Sequence, residues 1–136
     1  MSQSADLIWS TLEDKVIFKE PIYGEQRFSW IKNSDIVILT SFYECNSILA
    51  IETIALGGVL LCTNSCNLSD AAKFGAVKSS KNNLQNLIKS VNYLNNNKNS
   101  RNLREKALKY ALKYLDIKIN TKEILNLYKE VVKINW

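Results

Sequence analysis

Residues 41–58 are Ser-Phe-Tyr-Glu-Cys-Asn-Ser-Ile-Leu-Ala-Ile-Glu-Thr-Ile-Ala-Leu-Gly-Gly, and two glutamates, Glu44 and Glu52, stand in this run. It is flanked by two apolar runs, Ile36–Leu39 and Val59–Cys62. This order predicts a buried strand, a turn, a helix and a second buried strand. Ligands of such folds bind beyond the carboxyl ends of the strands, so the two glutamates are well placed to contact a polar ligand.

Size and composition predict one soluble domain. The chain has 136 residues, of which 46% are apolar and 23% are charged. No apolar run approaches the roughly 20 residues of a membrane span, and the first residues lack the pattern of a signal peptide. Cys45, Cys62 and Cys66 are odd in number and lack zinc-site spacing, which favours free thiols in a reducing cytosol. A cytoplasmic protein is therefore expected.

The charge pattern narrows the classes of chemistry and of partner. The chain contains no histidine, which excludes histidine base catalysis and histidine metal sites. Its formal charge is +5, with the positive residues concentrated after Lys73. Such a surplus admits an anionic membrane surface or nucleic acid as partner. A solvated lysine-rich face is the favoured interpretation, and no nucleic-acid partner is expected.

The rest of the sequence predicts an α/β fold that becomes helical in its second half. Single elements are a weak helix over Ala5–Leu12, a strand at Val16–Phe18, a helix over Glu25–Asn33, a helix over Asn46–Leu56, a last strand at Ala76–Val77, and three apolar stripes after Leu84. Alternating strands and helices favour a Rossmann-like α/β/α fold in three layers. We predict a short, mostly parallel sheet of about four strands, with Val16–Phe18 beside Ile36–Leu39.

The run around the glutamates has the groups needed to hold a sugar nucleotide. Glu44 is expected in the loop or first helical turn, and Glu52 roughly 12 Å further along the helix. The free N–H groups near Asn46, Ser47 and Ile48 would attract a diphosphate at the helix N-terminus. A carboxylate binds paired sugar hydroxyls well. The alternative is that the acidic residues are ordinary helix positions and that Asn46 and Ser47 cap the helix.

The same residues resemble the donor site of the family-four, or group 1, glycosyltransferases of GT-B fold. That family's pattern is Ala-Asp, an apolar strand, Pro-Ser, an aromatic residue, Glu-Gly-Phe-Gly, Glu-Ala and a glycine turn into the next strand. The matching segments are Ser34-Asp35, Thr40-Ser41, Phe42-Tyr43-Glu44, Ile51-Glu52-Thr53 and Ala55-Leu56-Gly57-Gly58-Val59-Leu60. The resemblance extends over nearly the whole chain and is most specific over residues 34–60.

The resemblance implies a retaining, metal-independent transfer of a hexose-type sugar from a nucleotide-sugar to an acceptor hydroxyl. Glu44 would be catalytic at the donor sugar, and Glu52 would hold the ribose. Ser41, Asn46, Ser47 and Ile48 would complete the substrate site. No cofactor beyond the donor substrate is implied. The family context implies glycan, lipopolysaccharide or capsule biosynthesis, with a glycan or lipid as acceptor.

Two departures from the family pattern shape the alternatives. The glycine loop is replaced by Glu44-Cys45-Asn46-Ser47, so the backbone cannot approach phosphate as freely. The chain also lacks the family's acceptor domain and the first strands of its donor domain. A separate acceptor-domain subunit or a homodimer is therefore expected, together with a peripheral contact at the inner face of the membrane.

A non-catalytic remnant or interaction module is the alternative function. A flavodoxin-like or receiver-like module is disfavoured because no acidic cluster follows the first strand.

Overall fold

Three short strands form a parallel sheet in the computed structural model, which describes residues 15–134. They are β1 (Val37–Leu39), β2 (Leu60–Thr63) and β3 (Lys78–Ser80), and their order in the sheet is β1-β2-β3. Both pairings are parallel. All four residues of β2 are buried, as expected of a strand with a neighbour on each side and helices above and below.

Helices connect these strands and continue beyond them. The described residues form α1 (Gly24–Asn33), α2 (Ile48–Ala55), a 3₁₀ turn (Asn64–Cys66), α3 (Ser69–Phe74), α4 (Leu84–Leu94), α5 (Asn97–Tyr110), a π-helical turn (Ala111–Leu115) and α6 (Ile117–Ile134). Helix α2 joins β1 to β2 and α3 joins β2 to β3, as parallel pairing requires. Helix α3 was not predicted, because six residues are too few to show an apolar stripe.

Side chains of β2 alternate between the two faces of the sheet and so define two cores. Leu60 packs in one core with Ile54 of α2 and Ala107 of α5. Leu61 packs in the other core with Leu94 and Leu103. Helices therefore cover both faces of the sheet. The predicted Rossmann-like α/β fold with a helical C-terminal half is confirmed.

The predicted number and extent of the strands were partly wrong. Val16–Phe18 does not join the sheet, and Ile17 and Phe18 are 75% and 77% exposed. Strand formation depends on the burial of side chains against neighbours, and these two side chains remain largely exposed. The sheet accordingly has three strands instead of four. The last strand begins two residues later than predicted, because the buried pair Ala76–Val77 leads into the paired residues without pairing itself. The predicted helix at Ala5–Leu12 lies outside the described residues.

A glycine turn fixes the end of α2 and the start of β2. The N–H of Gly57 donates to the carbonyl of Ile54 at 3.1 Å, and the N–H of Gly58 donates to that of Thr53 at 2.8 Å. Gly57 has a φ of +66°, and a Cβ there would stand 2.9 Å from Cγ of Leu108 on α5. The turn therefore needs glycine both for its left-handed backbone and for the close approach of α5.

Arg104 of α5 joins two backbone segments at the amino end of the sheet. Its guanidinium donates to the carbonyls of Gly57 at 3.3 Å, Ser34 at 3.2 Å and Asp35 at 3.5 Å. These carbonyls lie at the turn after α2 and at the approach to β1. The contact holds the C-terminal helices against the strand-helix-strand unit.

Helix α6 carries the third predicted apolar stripe, but the stripe is largely open to solvent. Its exposed apolar side chains are Ile117, Ile119, Ile124, Leu125, Leu127, Tyr128, Val131 and Val132. The helix follows the π-helical turn and contacts it. Among the described helices, none combines the length and the apolar character needed to cross a membrane.

Candidate functional site

Glu44 lies in the loop that follows β1, at the carboxyl edge of the sheet, as predicted. Ser41 Oγ donates to Glu44 Oε2 at 3.3 Å, and the Glu44 N–H donates to the carbonyl of Ser65 at 3.1 Å. Thr63, the last residue of β2, donates through Oγ1 to the carbonyl of Ser41 at 2.6 Å. The end of β2 and the turn after it thus hold the backbone of the Glu44 loop, and Ser41 of the same loop holds the carboxylate.

A second contact joins the same loop to the 3₁₀ turn. The side-chain amide of Asn67 donates to the carbonyl of Cys45 at 3.0 Å. Asn67 itself has a φ of +52°, a left-handed conformation that asparagine tolerates better than most residues. The Glu44 loop is therefore tied to its neighbouring loop at three backbone positions, which favours a preformed site.

Ser47 is the N-cap of α2. Its Oγ accepts a hydrogen bond from the N–H of Ala50 at 3.3 Å, and the residue is buried. Asn46 and the side chain of Ile48 are exposed beside it. The Ser47 hydroxyl therefore caps the helix, as the alternative interpretation of this residue predicted. The cap leaves the backbone N–H groups of Ile48 and Leu49 for a ligand.

Glu52 forms a short ion pair with Arg27 of α1. Arg27 Nη2 donates to Glu52 Oε1 at 2.6 Å, and the two side chains are 37% and 18% exposed, respectively. The pairing uses only one atom of each group. Arg27 Nε and Glu52 Oε2 are both buried and have no hydrogen-bond partner among residues 15–134. Arg27 also packs over the ring of Phe28 at 5.2 Å.

Sequence reasoning missed Arg27. It stands 25 residues before Glu52, and only the packing of α1 on α2 brings the two together. Arg27 is one polar residue in the predicted helix over Glu25–Asn33, where nothing in the sequence marks it as a partner. The predicted site residues consequently fall into two groups: Ser41 and Glu44 in the loop, and Glu52 with Arg27 between the helices.

An open cavity of about 640 Å³ lies next to α1. It is lined by residues 18–23 and by Gln26, the neighbour of Arg27. The side chain of Tyr23 at its rim is exposed. The cavity begins at Phe18, the last residue of the predicted first strand, and reaches α1 at Gln26.

The cysteines differ in their capacity for chemistry. Burial, and then the nearby Cys66, raises the pKa of Cys62 to about 12. Its thiol is therefore neutral at physiological pH and is not a nucleophile. Cys45 is exposed beside Glu44, where its Sγ lies 3.6 Å from the hydroxyl of Tyr43. Residues 15–134 bring together no group of three or more His, Cys, Asp or Glu side chains that could hold a metal ion.

Comparison with known protein families identifies the family of this chain. Residues 9–114, roughly four-fifths of the chain, match the family model described as Glycosyl transferases group 1. The chain belongs to the group 1 glycosyltransferases. No curated protein and no solved structure matches it significantly. The resemblance seen in residues 34–60 is thus confirmed at the level of the family, and both glutamates lie within the matched span, whereas α6 lies outside it.

Proposed function

We propose that this glycosyltransferase chain binds the nucleotide-sugar donor along residues 41–58 and supports transfer of its sugar to an acceptor hydroxyl. The observation that carries the proposal is the ion pair between Arg27 and Glu52. Its unused Nε–H is a donor and its unused Oε2 is an acceptor, and both are buried. A sugar hydroxyl can accept one hydrogen bond and donate another, so it suits this pair.

A ribose hydroxyl would reach these atoms after a small movement of Arg27. The Arg27 side chain is more than one-third exposed, so it has room to turn. Leaving a donor and an acceptor buried without partners costs about 1–3 kcal/mol each, which a ligand hydroxyl would recover in part. This gives Glu52 the ribose-binding role and adds Arg27 to the same subsite.

The other parts of the donor would then follow the surface of α2 and α1. The N–H groups of Ile48 and Leu49 would receive the diphosphate, with Asn46 beside them. The base would stack in the cavity rimmed by Tyr23. Glu44, held by Ser41, would face the donor sugar as its bond to the nucleoside diphosphate breaks and the acceptor oxygen bonds to the same carbon. The proton of the acceptor hydroxyl would pass to the leaving diphosphate. We propose a retaining, metal-independent transfer of a hexose, in glycan, lipopolysaccharide or capsule synthesis.

A second candidate function is donor binding without turnover. It is favoured by the loop after β1, where Cys45, Asn46 and the capping Ser47 replace the family's glycines and restrict the approach of phosphate. In that case the chain would serve as a sugar-nucleotide-binding subunit. An acceptor-domain partner, a homodimer or a membrane-bound acceptor would supply the rest of the reaction.

Titration calorimetry with UDP- and GDP-sugars, combined with assays of sugar transfer and donor hydrolysis, tests both functions. Glu52→Ala should weaken nucleotide-sugar binding about tenfold, the value of one charge-assisted hydrogen bond. Glu44→Ala should lower transfer and leave binding nearly unchanged. Glu105→Ala, which removes an exposed glutamate from α5, is the matched control. Binding without transfer or hydrolysis would select the second candidate, and no binding of any donor would refute both.

A further inference from the structure

A long segment of the chain is cationic and free of acidic residues. Between Asp70 and Glu105 there is no aspartate or glutamate. The same segment carries seven basic residues: Lys73, Lys78, Lys81, Lys89, Lys98, Arg101 and Arg104. Composition alone favours a solvated face, but the structure gathers three of these lysines around one cavity.

The cavity has a volume of about 440 Å³ and lies where β2 and β3 end. Lys78, Lys81 and Lys89 line it together with Asn64, Ser79 and Tyr93. We call it the lysine cavity. None of the residues that line it is acidic. A phosphate ester is small enough to enter a space of this size.

The three lysines have no carboxylate partner within 4.0 Å among the described residues. Lys78 Nζ instead lies 4.6 Å from the ring centroid of Tyr93, and Ser79 Oγ donates to Asn64 Oδ1 at 2.6 Å. Like charges around one cavity repel one another, and an anion between them would replace this repulsion with attraction. The aromatic ring and the Ser79–Asn64 bond hold the wall to which that anion would bind.

We propose that the lysine cavity binds a phosphate group, carried either by a soluble phosphate ester or by a lipid headgroup. Three ammonium groups act as point charges with rotatable donors, which suits a tetrahedral dianion. The cavity also adjoins the candidate site, because Asn64 precedes Ser65, whose carbonyl accepts the N–H of Glu44. If the proposed function holds, the bound phosphate belongs to the acceptor, since the donor diphosphate is assigned to α2. The binding itself does not depend on that function.

The test is an NMR titration of the full chain with sodium phosphate, against sodium chloride at equal ionic strength. Phosphate should shift the amide signals of residues 78–90 with saturation. The variant Lys78→Gln/Lys81→Gln/Lys89→Gln should weaken this binding by at least about tenfold, since the loss of even one charge-assisted hydrogen bond has roughly that effect. The matched control, Lys118→Gln/Lys122→Gln/Lys129→Gln, removes the same charge from α6 and should change affinity less than about twofold. Lys89→Gln alone, at an exposed position, is a second variant in case the triple change disturbs folding.

Vesicles distinguish the two sources of phosphate. Cavity-dependent binding to vesicles of phosphatidylglycerol and phosphatidylcholine, but not to pure phosphatidylcholine, would identify a lipid headgroup. Binding of free phosphate without vesicle binding would identify a soluble ester. Unshifted amides at residues 78–90, or equal losses in the two triple variants, would overturn the proposal. The nucleotide-sugar titration tests the proposed function independently. If the chain binds phosphate but no nucleotide-sugar, the proposed function is refuted and the phosphate site is not.

Discussion

The ion pair between Arg27 and Glu52 makes a quantitative prediction about stability. Replacing either residue by methionine keeps most of the side-chain volume and removes one charge. Arg27→Met strands a carboxylate whose side chain is only 18% exposed, whereas Glu52→Met strands a guanidinium that is 37% exposed. The arginine substitution should therefore be the more damaging of the two, because the stranded carboxylate has less access to water.

The burial of the pair sets the expected magnitudes. Removing one partner costs about 3–5 kcal/mol for a fully buried pair and about 0–1 kcal/mol for an exposed one. Glu52 lies nearer the buried limit, so we expect Arg27→Met to lower the free energy of unfolding by about 2–3 kcal/mol. Glu52→Met should cost about 1 kcal/mol, because its stranded partner can turn toward water. The double variant should lose no more than about 1 kcal/mol, since it also removes the two unpaired buried atoms.

Urea unfolding of the parent, the two single variants and the double variant closes a double-mutant cycle. The same cycle on the exposed pair Arg101–Glu105, whose charged atoms are 3.9 Å apart, is the control and should show almost no coupling. Additive losses at Arg27 and Glu52, or a larger loss for Glu52→Met than for Arg27→Met, would show that the pair is not formed as the structure has it.

Three further outcomes test the fold. Gly57→Ala should lower stability by about 1–3 kcal/mol in urea unfolding, because alanine is strained at positive φ and its Cβ would meet Leu108; an unchanged midpoint would contradict the turn geometry. Ending the chain after Asp116 removes α6 and should shift the melting temperature by only a few degrees, about the value of 1 kcal/mol or less; collapse of the fold would show that its side chains are packed. The contribution of the Cys62 thiol to the free energy of unfolding should be complete below pH 9 and should be lost as the pH rises toward 12, because the folded state keeps this thiol protonated. Cys62→Ala should flatten this decline, and an identical pH profile of the variant and the parent would refute the explanation.

The central strand-helix-strand unit could be predicted from the sequence because its signals are local. The apolar runs around Ile38 and Leu61 mark buried strands, and Gly57-Gly58 marks the end of the helix between them. The position of Glu44 after β1 follows from the same order. Its bonds to Ser41 and to the backbone of Ser65 could not be foreseen, because they depend on how two loops meet.

What could not be predicted depends on tertiary contacts. Arg104 reaches Ser34 across 70 residues, and no local pattern indicates such a contact. Val16–Phe18 has the composition of a strand, but it does not pair with the sheet, and Ile17 and Phe18 are exposed. The surplus of positive charge could be read from the composition, whereas the convergence of three lysines on one cavity follows from the placement of β3 beside α4.

A ligand at the proposed donor site would meet two carboxylates that already have partners in the chain. Ser41 holds Glu44 and Arg27 holds Glu52, so a ligand gains most from atoms that these contacts leave unused. The two positions differ in what remains unused. Arg27 and Glu52 keep one buried donor and one buried acceptor, and a hydroxyl can satisfy both without breaking the ion pair. At Glu44 the loop is already held by backbone hydrogen bonds, so the carboxylate has a fixed position before any ligand binds. Recognition of the donor should therefore depend mainly on Glu52 with Arg27, and the rate of transfer mainly on Glu44.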